Sequence, residues 1–150
     1  METVTNTPRV ISNQEGETFN ILGHKVTVKI HSWDGNNNYV FRMVSPPGSG
    51  IPPHVHTMED ELVYILDGEL EVMIGGDTFK AGSGDCLNFA RTVPHAYTIT
   101  GSANATTLWY VSPGKSFEDF FGELSQFPPG PPDMERLNSL CEKHGMKFLV

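Results

Sequence analysis

The chain has 150 residues, enough for one domain with a buried core and no covalent staples. Apolar residues make up 38%, and 15 Gly and 11 Pro point to a turn-rich, mostly β composition. A formal net charge of −8, with only 10 scattered Lys and Arg, excludes the basic stripe on which a nucleic-acid binder depends.

In chain order, Met1-Glu-Thr-Val-Thr-Asn-Thr-Pro has no basic start and no apolar core, so it does not read as a secretory signal. No run approaches the ~20 apolar residues that span a bilayer. Cys86 and Cys141 lie far apart with no CxxC, which points to two reduced thiols rather than a disulfide or a zinc knuckle. A cytoplasmic protein is expected, and Asn104-Ala-Thr fits a glycosylation acceptor only formally.

Residues 24–33 alternate, with Val26, Val28 and Ile30 on one face and Lys25, Thr27, Lys29 and His31 on the other, which predicts a half-buried strand. Asp34-Gly-Asn-Asn-Asn is a turn, and the chain resumes as a strand from Tyr39 to Ser45. Asp67-Gly68 between the apolar runs 61–66 and 69–74 predicts a hairpin, because Gly tolerates positive φ. Gly75-Gly76-Asp77 turns the chain into Thr78-Phe-Lys, and residues 86–89, 95–100 and 106–112 read as further strands. Beyond Pro113-Gly114, Ser116 is read as the N-cap of a short helix. Asp133 opens a second helix with Met134, Leu137, Leu140 and Cys141 as its apolar stripe, closed by Gly145. Both helices are expected to pack outside the β core, and residues 146–150 form a short apolar tail. One domain over 1–150 is expected, with a β region at about 19–112 that forms either a sandwich or a barrel, and a helical tail at 113–150.

Chemistry concentrates in Pro52-Pro-His-Val-His-Thr-Met-Glu-Asp-Glu and Val93-Pro-His. His54 and His56 at i and i+2 point to one side of an extended strand. Imidazole and carboxylate suit divalent first-row metals, so His54, His56, Glu61 and His95 are the candidate ligands. Three neutral imidazoles and one carboxylate leave a divalent ion with net positive charge and open positions, the pattern of a reactive site. Pro52-Pro53 and Pro94 restrict the backbone where these imidazoles are aimed. Glu61 shares a strand face with Val63 and Ile65, where an unpaired carboxylate is costly. Glu59 and Asp60 compete with Glu61 for the role. Arg91 is read as a surface residue or as one that meets an anionic substrate. Phe41, Met43, Phe89, Tyr97, Trp109 and Val111 are candidates for an apolar pocket or plain core. His31 is read as solvated, His24 as opening its strand, and His144 as favourably placed at a helix carboxyl end. No GxSxG or GxxxxGK[ST] motif occurs.

Gly48, His54, His56, Glu61 and Gly68 stand at the spacing of the first motif of the cupins, and the chain resembles that family. Gly76, Gly84-Asp85, Pro94 and His95 follow its looser second motif. Gly82 replaces that motif's Pro, the step from Gly84 to His95 is long, and Ile99 stands at its terminal Asn position. The tail is similar to that of single-domain, quercetin 2,3-dioxygenase-like cupins. The resemblance implies an all-β double-stranded β-helix (jelly-roll) barrel with short carboxyl-terminal helices, commonly a homodimer. It also implies a divalent transition metal (Fe, Mn, Ni, Co, Cu or Zn) on His54, His56, Glu61 and His95, with Glu61 doubling as a catalytic base. The implied activity is a metal-dependent dioxygenase acting on a small phenolic or enol compound. The alternatives are a metal-dependent isomerase or lyase and a non-catalytic small-ligand-binding module; one fold hosts all of these.

Overall fold

The computed structural model describes residues 6–149; Met1–Thr5, on which part of the signal-peptide reading rests, and Val150 of the apolar tail lie outside them. The chain runs β1 (Thr18–Ile21), β2 (His24–Ile30), β3 (Tyr39–Ser45), β4 (Gly50–His56), β5 (Asp60–Asp67), β6 (Glu69–Ile74), β7 (Asp77–Gly82), β8 (Cys86–Phe89), β9 (His95–Ile99) and β10 (Ala105–Ser112). Two helices, α1 (Lys115–Leu124) and α2 (Met134–Lys143), and a last strand β11 (Met146–Phe148) complete it. The strands form two antiparallel sheets, ordered β1-β2-β3-β10-β5-β8 and β11-β4-β9-β6-β7. These close into the expected double-stranded β-helix, which settles barrel against sandwich. No helix among the described residues is long and apolar enough to cross a membrane.

Period-2 patterning decides which side chains go inward. Along β3, Tyr39, Phe41 and Met43 are buried; along β5, Glu61, Val63 and Ile65; along β10, Ala105, Thr107, Trp109 and Val111. The inner faces of the two sheets meet over one hydrophobic core. Strand β2 ends at Ile30, and a register shift between Val28 and Ile30 leaves Ile30 half-buried where strict alternation placed it inward.

The Asp67-Gly68 turn is not a hairpin. β5 pairs with β10 and β8, whereas β6 pairs with β7 and β9, so the chain crosses from one sheet to the other at this corner. Gly68 has φ 107° and runs so close to Ala105 that a Cβ would lie 2.7 Å from that residue's Cα. The turn chemistry was legible; burying the apolar faces of both strands against each other sends them to opposite sheets.

Asp133 caps α2 as expected, accepting from Glu135 N and Arg136 N. Ser116 does not cap α1: the cap residue is Gly114, and the Ser116 hydroxyl lies 3.0 Å from His144 Nδ1 instead. Met134 is 53% exposed and stands outside the buried stripe of Leu137, Leu140 and Cys141. The tail is more than outer packing, because Phe117, Phe120, Phe121 and Leu124 of α1 are buried against the core. Strand β11 extends the second sheet, setting Met146 opposite His56 and Phe148 opposite His54.

Strand β4 runs so close to β9 that a Cβ at Gly50 would meet the Tyr97 carbonyl oxygen at 2.0 Å. Gly50→Ala is therefore expected to destabilise the fold by ~1–3 kcal/mol through overpacking, read as an earlier midpoint in urea unfolding.

Candidate metal centre

Strand β4 carries His54 and His56 and its neighbour β9 carries His95, with His54 directly opposite His95 across the ladder. All three rings are at most 4% exposed. Their ligand atoms lie within 4.8 Å of one another. Glu61 reaches in from β5 on the facing sheet and is 2% exposed. The structure thus brings together all four residues that the sequence singles out.

The prolines act through a specific hydrogen bond. Pro52-Pro53-His54 and Val93-Pro94-His95 share the pattern X-Pro-His, and Pro holds residue X extended. In both, the ring Nδ1 donates to the carbonyl of X: His54 to Pro52 O at 2.9 Å, His95 to Val93 O at 3.1 Å. That bond selects the tautomer and leaves the Nε2 lone pair of each ring free to face the cluster. Phe89 stacks on the His95 ring, with centroids 4.1 Å apart and planes 9° from parallel, and fixes its rotation.

His56 has no proline before it and uses a carboxylate. Glu59, 2% exposed, places Oε1 3.3 Å from His56 Nδ1. Glu59 is therefore a positioning residue for His56 rather than a competing ligand. Its one sequence signal is the i, i+3 spacing from the second His. Asp60 does not compete either: it is exposed and clamps Arg91 through that residue's Nε, Nη2 and backbone N–H. The same clamp holds Arg91 on the surface.

Glu61 Oε1 lies 2.9 Å from His56 Nε2, and Oε2 lies 3.4 Å from His95 Nε2. Neither Glu61 Oε1 nor His95 Nε2 has an aligned hydrogen-bond partner, although both are fully buried. Buried polar atoms are rarely left so. Three imidazoles and a carboxylate that converge within a few ångströms are a donor set that fits a divalent first-row ion.

Burial, with the neighbouring His95 and His56, pushes the His54 pKa down to about 4, so its ring is neutral at physiological pH. Burial opposes a charge on His56 too, but the Glu61 and Glu59 carboxylates outweigh it and raise the pKa to about 10. Burial likewise works against ionisation of Glu61, yet His56 and His95 hold its carboxyl well below the usual range.

Above this cluster lies a cavity of about 360 Å³. Phe41, Met43, Tyr97 and Trp109 line it, as expected, whereas Phe89 and Val111 are core residues behind the wall. The sequence reading missed the roof, which α1 supplies with Phe117, Phe120, Phe121 and Leu124, and α2 with Leu137 and Cys141. His24 also lines the cavity, buried, with Nδ1 2.7 Å from the Ser45 hydroxyl. His31 is not simply solvated: it pairs with Glu118 of α1 and stacks on Trp33.

Residues 41–111 match the cupin domain family model. Over 67 residues the chain is 31% identical to polyketide synthase CurC of Streptomyces cyaneus, covering 45% of this chain and 44% of that one. Over 94 residues it is 30% identical to quercetin 2,3-dioxygenase of Bacillus subtilis, covering 61% of this chain and 28% of that one. The matches thus span less than half the length of either relative. Among solved structures, an RmlC-like cupin from Shewanella frigidimarina superposes with a TM-score of 0.64 at 18% identity, covering 76% of this chain and 96% of that one.

In the metal-free protein, His56 binds its proton more tightly folded than unfolded. Its contribution to stability is complete below its ordinary pKa of 6.5 and is lost as pH rises through about 10. Glu61→Gln removes the main charge partner and is expected to flatten that decline, as measured by chemical denaturation of chelated protein across this window.

Proposed function

Since residues 41–111 form a cupin domain within a cupin fold, we propose that the chain is a metal-dependent dioxygenase for small phenolic or enolic compounds, with His54, His56, His95 and Glu61 as metal ligands. The observation that carries this reading is the convergence of three buried imidazoles and the Glu61 carboxylate beside an apolar cavity that His54, His56 and Glu61 line. The ion would supply Lewis acidity and a path for electrons between substrate and oxygen.

The chain's own residues define the rest. Aromatic walls from Phe41, Trp109, Phe117 and Phe121 exclude water and favour a flat, apolar substrate. The Glu61 carboxylate, buried beside the cavity, is the group on its wall able to accept a proton. A carboxylate takes protons only from an acidic hydroxyl such as a phenol or enol, made more acidic where its oxygen would meet the ion. Glu59, Pro52 and Val93 hold the three rings in place while that proton moves. Both oxygen atoms of O₂ enter the product, and the substrate provides the electrons. The 30% match to a protein named quercetin 2,3-dioxygenase supports a flavonol-type substrate.

The match to a protein named polyketide synthase CurC favours a second reading, a redox-neutral isomerase or lyase step on a polyketide-like substrate in the same cavity. Turnover with zinc and without oxygen uptake distinguishes it. The proposal includes a cytoplasmic homodimer. In its support, Leu62, Tyr64, Leu66 and Tyr110, on the outer face of β5 and β10, are each more than 40% exposed. Light scattering on purified protein is expected to return twice the chain mass.

His54→Ala and His95→Ala are expected to abolish stoichiometric metal by elemental analysis, while Glu61→Gln keeps part of it and loses oxygen consumption with flavonols. One ion per chain in both His variants refutes the ligand set. Glu59→Gln is expected to weaken metal affinity ~10–100-fold, as read by competition with a chelator. Metal-loaded wild type that consumes no oxygen with flavonol-type substrates overturns the dioxygenase reading.

A further inference from the structure

Tyr97 carries a hydroxyl that neither the histidine cluster nor the barrel packing uses. It stands two residues beyond His95 on β9, shares that residue's inward face, lines the cavity and is 8% exposed. A buried phenolic O–H ordinarily finds an oxygen or nitrogen acceptor. The Tyr97 hydroxyl donates only to Met43 Sδ, at 3.8 Å, among the described residues. A thioether is a weak acceptor.

Two other buried polar groups on the cavity wall are committed elsewhere, and Asn138 stands exposed on α2. Trp109 Nε1 donates to Thr107 Oγ1 at 2.8 Å, and His24 Nδ1 is matched to the Ser45 hydroxyl. A tyrosine phenol keeps its proton at neutral pH, so the hydroxyl is available as a donor. If the residue served packing alone, a Phe would fill the same volume without burying a hydroxyl.

We propose that the Tyr97 hydroxyl is a ligand-binding donor that recognises a carbonyl oxygen on an aromatic ligand lying in the cavity. Phe41 and Trp109, whose planes are 9° from parallel with centroids 5.7 Å apart, supply apolar wall for the ring. This deepens the functional reading above and rests on it in taking the cavity as the substrate site. With Glu61 accepting and Tyr97 donating, the cavity selects a substrate that carries both an acidic hydroxyl and a carbonyl oxygen, a hydroxy-enone. Its specificity is then set by two polar contacts on opposite terms, one taking a proton and one lending one.

The test is calorimetric titration of the purified, metal-loaded protein with 2-acetylnaphthalene and 2-ethylnaphthalene, which share a shape and differ by one carbonyl oxygen. Neither probe carries an acidic hydroxyl, so the outcome is independent of whether the protein consumes oxygen. Wild type is expected to bind the ketone about tenfold more tightly, the worth of one hydrogen bond. Tyr97→Phe is expected to erase that preference while leaving metal content and melting temperature unchanged. Met43→Leu, which frees the hydroxyl from its thioether, is expected to widen the preference and decides the matter even if Tyr97→Phe fails to fold. A wild type that binds neither probe, or binds both equally, overturns the assignment. So does a preference that survives in Tyr97→Phe or fails to widen in Met43→Leu.

Discussion

Three imidazoles and a carboxylate are buried together at the floor of an apolar cavity, and the surrounding structure is arranged to hold them there. Such groups are costly to bury unless each is oriented and paired. Two backbone carbonyls, of Pro52 and Val93, hold one nitrogen of His54 and of His95, and Glu59 holds one nitrogen of His56. The outward nitrogens of His54 and His95 are thereby satisfied, that of His56 faces Glu59, and the inward nitrogens of His56 and His95 lie against Glu61. Rigid orientation of this kind precedes any metal and any substrate, and it is what makes the cluster a site rather than a polar defect.

Sheet pairing carries this orientation from local to global scale. β4 lies between β9 and β11, so the strand bearing two of the imidazoles is braced on both edges. The carboxyl-terminal segment therefore does two things at once: β11 pins the back of the histidine strand, and α1 roofs the cavity in front of it. His31, paired with Glu118, ties β2 to that roof from the outside. A segment that looks peripheral in chain order is in contact with the chemistry.

The cavity's character follows from the same packing. Its wall is aromatic and aliphatic almost throughout, and the few polar side chains along it include His24, His54, His56, Glu61, Tyr97 and, on α2, Asn138. In so dry a setting each polar contact discriminates strongly between ligands, because an unmatched partner is left without water. Specificity is thus concentrated in a handful of atoms, and the apolar surface contributes affinity and exclusion of solvent.

Much of this was legible in the chain. Ligand type, the HxH spacing and the two X-Pro-His runs identified His54, His56, Glu61 and His95 because these are local patterns with local causes. The strands were legible for the same reason, since alternation over a few residues depends on which face is buried. What alternation cannot say is which strand lies across from which. The turn chemistry of Asp67-Gly68 predicts a hairpin, yet the chain there changes sheets, because burying both apolar faces outweighs pairing with the nearest neighbour. Glu59's hold on His56, the α1 roof and the β11 brace were likewise set by contacts between residues distant in sequence or by side-chain direction at a turn. The sequence by itself determined which groups could do chemistry. Tertiary packing alone decided how they are aimed, what covers them and which hydroxyl, that of Tyr97, is left facing the cavity with only a thioether to hold it.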